Sequence, residues 1–189
     1  MSVDAVVVPL KRFDLAKTRL RGDGATNVSA LARQLAVAVI KSSQPRTVIV
    51  LSEDPAVTKF ADQLGAIAHV TTASNLNEAV SIAYRSLADR FERLIIAHGD
   101  LANPRGLATF DPDDGVTIIT DHHGRGTNVL ALPTGLDFHF AYGPDSRRRH
   151  EEEAKRLGVA HRVVANSPWC FDVDTADDAK LFRAQARSG

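Results

Sequence analysis

The sequence predicts an α/β fold with a mostly parallel central sheet flanked by helices, and three observations carry that prediction. Short β-branched runs alternate with amphipathic helical stretches through the first half, in the order β-α-β-α-β-α-β. The runs Val6-Val7-Val8, Val48-Ile49-Val50-Leu51 and Leu94-Ile95-Ile96 are apolar at every position, as strands covered on both faces are. At 189 residues the chain supplies one ample core and is short for two, so residues 1–189 are read as a single domain.

Taken in order, Ala5 to Val8 reads as the first strand, and Pro9 stops it. The segment from Leu10 to Leu20 follows, with Lys11, Arg12, Lys17 and Arg19 giving it four positive charges. A basic loop after the first strand of an open α/β sheet suits a phosphate-bearing ligand, or it is a solvated turn. From Val28 to Lys41, Leu31, Leu35, Ala38 and Val39 recur at helical spacing behind a candidate cap, Asn27. A strand from Arg46 to Leu51 leads to Asp54-Pro55, which opens a helix that Gly65 closes. Ala66 to Val70 is a third strand. Asn75-Leu76-Asn77-Glu78 starts a helix whose apolar face is Val80, Ala83, Tyr84 and Leu87. The fourth strand, Arg93 to Ala97, ends at His98-Gly99-Asp100-Leu101.

The second half is less regular. Pro104 to Phe110 is expected as a short helix, and Asp111 to Gly115 as a turn cluster. Val116 to Thr120 and Val129 to Leu132 read as strands around the loop Asp121 to Asn128. Asp145-Ser146 is expected to cap a charged helix through Leu157, and His161 to Val164 is a last short strand.

Composition removes several classes of function. Twenty-three Lys and Arg balance 23 Asp and Glu, so the electrostatic footprint of a general nucleic-acid binder is missing. Cys170 is the only cysteine, which excludes an intramolecular disulfide and a cysteine zinc cluster. No apolar run reaches membrane-spanning length and Met1-Ser2-Val3-Asp4 has no basic leader, so a cytoplasmic protein is expected. No Gly-x-Gly-x-x-Gly or Walker-type loop follows the first strand, against a dinucleotide or P-loop enzyme.

The chemistry is expected around Phe171-Asp172-Val173-Asp174-Thr175. Residues two apart on an extended segment face the same way, so both acids can grip one hard cation such as Mg²⁺. The alternative is that they merely favour the positive end of the helix that Thr175 begins. Asp100, just past a buried strand, would lie at the sheet edge where such folds place ligands and could complete a trio, or it is a turn cap. His122, His123 and His150 invite zinc, but adjacent histidines rarely aim at one ion, and a solvated loop is the reading for the first two. Gly124-Arg125-Gly126-Thr127-Asn128 offers backbone N–H groups to an anion, or is only a glycine turn. Arg147, Arg148 and Arg149 oppose the dipole of their helix, and for at least two of them Glu151, Glu152 and Glu153 are explanation enough. Phe138 and Phe140 are read as exposed, able to serve a homodimer.

Five short motifs stand in one order. They are Val8-Pro9-Leu10-Lys11 with Ala16 to Leu20, Leu76-Asn77, Gly126-Thr127-Asn128, Gly143-Pro144-Asp145-Ser146 with His150, and Asp172-Val173-Asp174-Thr175. In that order, over nearly the whole chain, they resemble the CofC/FbiD family, guanylyltransferases of coenzyme F-420 biosynthesis. The resemblance implies a MobA-like, GT-A-type nucleotidyltransferase fold. It also implies GTP and a small phosphorylated acid as substrates: 2-phospholactate, phosphoenolpyruvate or 3-phosphoglycerate. By the same resemblance Asp100, Asp172 and Asp174 would hold two Mg²⁺ ions. Thr127, Gly143 and Ser146 would hold the acid. Pro9, Lys11, Lys17 and Arg19 would meet the nucleotide together with Asn77 and Asp100, and Lys11 and Lys17 join the three acids as catalytic candidates. One departure stands out: the family usually has Ala-Asp-Leu-Pro around the first acid, and this chain has Gly99-Asp100-Leu101-Ala102. The loop is then either reshaped for another acceptor or weakened. Transfer from another nucleotide and a non-catalytic, nucleotide-binding paralogue are the competing readings.

Overall fold

A computed structural model describes residues 4–14 and 28–188, with side chains to residue 182. The expected cap Asn27 and the basic residues Lys17 and Arg19 lie outside them. The strands are β1 (Asp4–Pro9), β2 (Thr47–Ser52), β3 (Ile67–Val70), β4 (Arg93–Ala97), β5 (Val116–Thr120), β6 (Thr127–Pro133) and β7 (His161–Val164). The helices are α1 (Val28–Ser43), α2 (Pro55–Gln63), α3 (Leu76–Leu87), α4 (Ser146–Arg156) and α5 (Ala176–Ser188). Among the described residues these seven strands form one sheet in the order β3-β2-β1-β4-β6-β5-β7.

The first four strands are mutually parallel, as their unbroken apolar runs predict. Alternation sorts their side chains. Val6 and Val8 join a core cluster with Val39 and Ile40 of α1 and Val57 and Phe60 of α2. Ala5 and Val7 face the opposite cluster, with Val80, Ala83 and Tyr84 of α3 and Ala154 of α4. The sheet is therefore covered on both sides. β6 enters antiparallel between β4 and β5, so its first residue, Thr127, sits at the edge where β1, β4 and β5 end. Pro9, Ala97, Thr120 and Thr127 thus share one rim.

Helix starts follow side-chain chemistry. Asp54 Oδ1 accepts from the backbone N–H groups of Ala56 and Val57, at 2.8 and 3.1 Å. Asn75 Oδ1 accepts from Glu78 N–H at 3.0 Å, while Glu78 takes the Ser74 N–H in return. At α5, Thr175 Oγ1 accepts from Asp178 N–H, and Asp178 accepts from Thr175 N–H at 2.8 Å, a capping box.

Three expectations are corrected. Phe138 and Phe140 are buried, packed with Tyr84 and Tyr142 under α4, so they offer no surface to a dimer. Among the residues from Pro104 to Phe110, only Leu107–Thr109 is helical, as one 3-10 turn. Asp145 makes no side-chain cap to α4; its backbone is left-handed, with φ 55°, and the turn through Gly143 sets the helix start. The surface of α4 is as read: Arg147 pairs with Glu151 and Arg148 with Glu152, each one turn on. Among the described residues no helix is long and apolar enough to cross a membrane.

Candidate active site

The rim acquires its acids through a short piece of sheet outside the main one. Beyond β4, Leu101 forms an isolated antiparallel bridge with Asp172. Ala102 N–H donates to Phe171 O at 2.9 Å and Val173 N–H to Asp100 O at 3.1 Å. Leu101 and Val173 are fully buried, Leu101 in the main core and Val173 against Leu31 and Leu35 of α1. With Val173 pointing inward, Asp172 and Asp174 turn together toward Asp100. One carboxylate oxygen of each of the three lies within 4.8 Å of the others.

Such crowding has an electrostatic signature. Burial pushes the Asp172 carboxyl above its ordinary range, and the charges of Asp100 and Asp174 push it further. The Asn128 amide, donating to Asp172 Oδ1 at 3.1 Å, works against that rise. Three hard oxygen donors that repel one another fit a divalent cation of the Mg²⁺ type, with open positions for phosphate oxygens.

At Gly99 a methyl group would come within 2.3 Å of Leu10 Cδ2, the free end of a side chain that would have to turn aside. Ala102 uses its N–H in the bridge, a bond that a proline at this position could not make. The chain therefore fastens the loop in its own way and keeps Asp100 in the cluster.

Two neighbours of the acids escape the sequence reading. Asn128 Nδ2 is 3.1 Å from each of Trp169 O, Cys170 O and Asp172 Oδ1, tying β6 to the strand-like segment of the acids. A bulge makes this possible. Ile119 pairs with Val129 but Thr120 with Thr127, so Asn128 is the extra residue and is aimed across the sheet. His122, expected in a solvated loop, sits with Nδ1 3.7 Å from Asp172 Oδ1 and its ring against Phe171 and His123. No local signal marks it, because its partner lies fifty positions away in the chain.

The other half of the rim gathers Thr127, Gly143 and Ser146. Thr127 Oγ1 is 3.0 Å from His150 Nδ1, and Ala141 N–H donates to His150 Nε2 at 3.0 Å. Asn77, expected at the nucleotide, has its amide on the backbone of Tyr142: Oδ1 accepts from Tyr142 N–H at 2.6 Å and Nδ2 donates to its carbonyl at 3.2 Å. Gly143 follows with φ 117°, open to glycine alone, and Ser146 begins α4. Arg147 N–H donates to Arg125 O, and Arg147 Nε to Gly124 O, which brings the glycine loop against the same helix start. Burial, then the neighbouring charges of His98 and Arg149, hold His150 down at about 4. The ring of Tyr142 lies between those of His98 and His150, with centroids 5.3 and 4.8 Å away.

At the end of β1, Pro9 closes the strand and Leu10 N–H donates to Leu51 O at 2.9 Å. Lys11 is exposed at the rim. Arg12 is engaged by Asp14 and Asp54, at 2.6 and 3.5 Å.

Two outcomes follow for stability. A carboxyl whose folded pKa is raised favours folding only below its unfolded value and loses that contribution as pH rises through the folded pKa; ionised Asp172 is therefore a cost at neutral pH. Asp172→Asn should raise the melting temperature of metal-free protein by roughly 1–4 °C, read by calorimetry at pH 7.5 with chelator, as site-relaxing substitutions commonly do. His150 has the opposite sign. With its pKa lowered to about 4, the unfolded chain takes up a proton that the fold refuses. Stability should fall as pH drops from about 6.5 toward 4, and His150→Gln should flatten that limb of the melting curve.

Comparison with known proteins agrees with the geometry. The family described as CofC-like guanylyl transferase matches residues 4–182. A phosphoenolpyruvate guanylyltransferase of Roseiflexus castenholzii is 34% identical, over 91% of this chain and 84% of its own. One of Conexibacter woesei is 34% identical over 94% and 86%, and one of Sphaerobacter thermophilus 29% over 97% and 94%. Among solved structures, a Methanothermobacter nucleotidyl transferase superposes with a TM-score of 0.70 at 16% identity, covering 99% of both chains. A cytidylyltransferase of Leptospira borgpetersenii gives 0.62 at 13%, covering 100% of this chain and 88% of its own. These two share the fold of this chain. Matched along nearly its whole length, the chain belongs to the CofC-like guanylyl transferase family.

Proposed function

We propose that this protein transfers the guanylyl group of GTP to the phosphate of a small phosphorylated carboxylic acid, releasing pyrophosphate, in coenzyme F-420 biosynthesis. Phosphoenolpyruvate is the first acceptor to test, because the named relatives are phosphoenolpyruvate guanylyltransferases. The observation that carries the reading is the meeting of Asp100, Asp172 and Asp174, with a carboxylate oxygen of each within 4.8 Å of the others.

A phosphate oxygen of the acceptor attacks the α-phosphorus of GTP. A new P–O–P bond forms, and the bond from the α-phosphorus to the bridging oxygen breaks, its electrons leaving with pyrophosphate. The attacking phosphate is already ionised near neutral pH, so no general base is needed and the protein's task is positioning and charge neutralisation. Asp100, Asp172 and Asp174 would hold Mg²⁺, which supplies positive charge to the transferring phosphate oxygens when bound. Lys11, with Lys17 and Arg19 from the same basic segment, would neutralise the triphosphate. Thr127, Ser146 and the backbone N–H groups around Gly143 would orient the acceptor.

The decisive assay is pyrophosphate release with GTP, CTP, ATP or UTP crossed against the three acids, with and without Mg²⁺. Release is expected with GTP, Mg²⁺ and at least one acid, and Asp174→Ala should lower turnover at least a hundredfold while melting normally. An Asp174→Ala protein that works at the normal rate would refute the metal assignment. Stabilisation by GTP without release from any acid would favour a nucleotide-binding paralogue.

A further inference from the structure

The contacts of His150 fix more than its place. Its Nε2 accepts from the Ala141 backbone N–H, so that nitrogen carries no proton. A neutral imidazole then bears its one hydrogen on Nδ1, which faces Thr127 Oγ1 at 3.0 Å. Nδ1–H is the donor in that bond, and the Thr127 oxygen is the acceptor. Having accepted there, the hydroxyl keeps its own hydrogen, and among the described residues no acceptor for it is found. His150 is fully buried, which shields its bond to Thr127, and Thr127 is 2% exposed.

We propose that His150 is a positioning residue that commits the Thr127 hydroxyl to donate to an anionic oxygen of the acceptor. The inference rests on the acceptor assignment made above. Its physical content is directional. A threonine hydroxyl free to rotate donates or accepts with equal ease, whereas a phosphate or carboxylate oxygen of the acid only accepts. By occupying one lone pair of Oγ1, the buried Nδ1–H leaves the O–H as the group that faces a ligand's oxygen, and that role is set before the ligand arrives. The same imidazole holds Ala141 through Nε2, and Asn77 holds the adjacent Tyr142, so the loop leading to Gly143 and Ser146 is indexed to Thr127. One ring therefore relates the two sides of the acceptor site. The low basicity of His150 keeps this arrangement through mildly acid pH, because a second proton on Nε2 would have to displace the Ala141 bond.

A double-mutant cycle on Thr127→Val and His150→Gln separates this role from general support. The acceptor is varied at saturating GTP, and GTP at saturating acceptor. Each single substitution should raise the KM for the acceptor on the order of tenfold, the factor that about 1.4 kcal/mol makes in an equilibrium constant. The double variant should be no worse than the poorer single one. The KM for GTP should stay within about twofold, and Thr127→Ser should retain the wild-type value. Multiplying effects, an equal rise in the KM for GTP, or no change in the KM for the acceptor would each overturn the proposal. If His150→Gln does not fold, His150→Leu, which cannot donate to Thr127, takes its place in the cycle. Imidazole ¹⁵N spectra of the wild type at about pH 6 give a test free of turnover. They should show His150 neutral with its proton on Nδ1; a proton on Nε2 would overturn the assignment. A wild type that uses none of the three acids would instead sink the acceptor reading itself, whatever the spectrum shows.

Discussion

Everything in the site depends on two backbone hydrogen bonds between residues 100–102 and 171–173. Without them, Asp100 is an acid at the end of a strand and Asp172 an acid before a helix, with nothing to make them neighbours. The bridge of Leu101 to Asp172 holds three like charges together against their repulsion, and the buried side chains of Leu101 and Val173 supply the grip. Opposed forces of this kind are typical where stability is given up for a binding site. The raised pKa of Asp172 is the local sign of that tension.

The acid cluster and the Thr127–His150 pair are joined by a single step along β6. The bulge sends Asn128 toward Asp172 and leaves Thr127 facing His150, so adjacent residues report to opposite halves of the site. Adjacent strand residues face opposite sides in any case; the inserted residue decides which side Thr127 serves relative to the rest of β6. The two halves are thereby coupled in distance. Asn77, reaching from α3 to the Tyr142 backbone, extends the arrangement to the other covering layer.

The sheet and its layers were largely legible, because β-branched runs and helical periodicity are local signals, and so were the caps at Asp54, Asn75 and Thr175. The pairing of Asp172 with Asp174 was legible too, being a matter of alternation. What local pattern does not carry is pairing. The insertion of β6 between β4 and β5, the bulge at Asn128 and the approach of His122 to Asp172 all depend on residues far apart in sequence. Phe138 and Phe140 looked exposed for a related reason: they lie in an irregular stretch whose burial is decided by α3 and α4 closing over it. The bond of Ala102 N–H to Phe171 O likewise joins residues far apart in sequence.

The account stands or falls on whether the three carboxylates hold a metal together. Mn²⁺, which takes the same oxygen donors and scatters anomalously, can be soaked into crystals grown with GTP. The account predicts anomalous density touching oxygens of Asp100, Asp172 and Asp174 and of the triphosphate at once. Density elsewhere, or nucleotide bound with no ion among those acids, would contradict it.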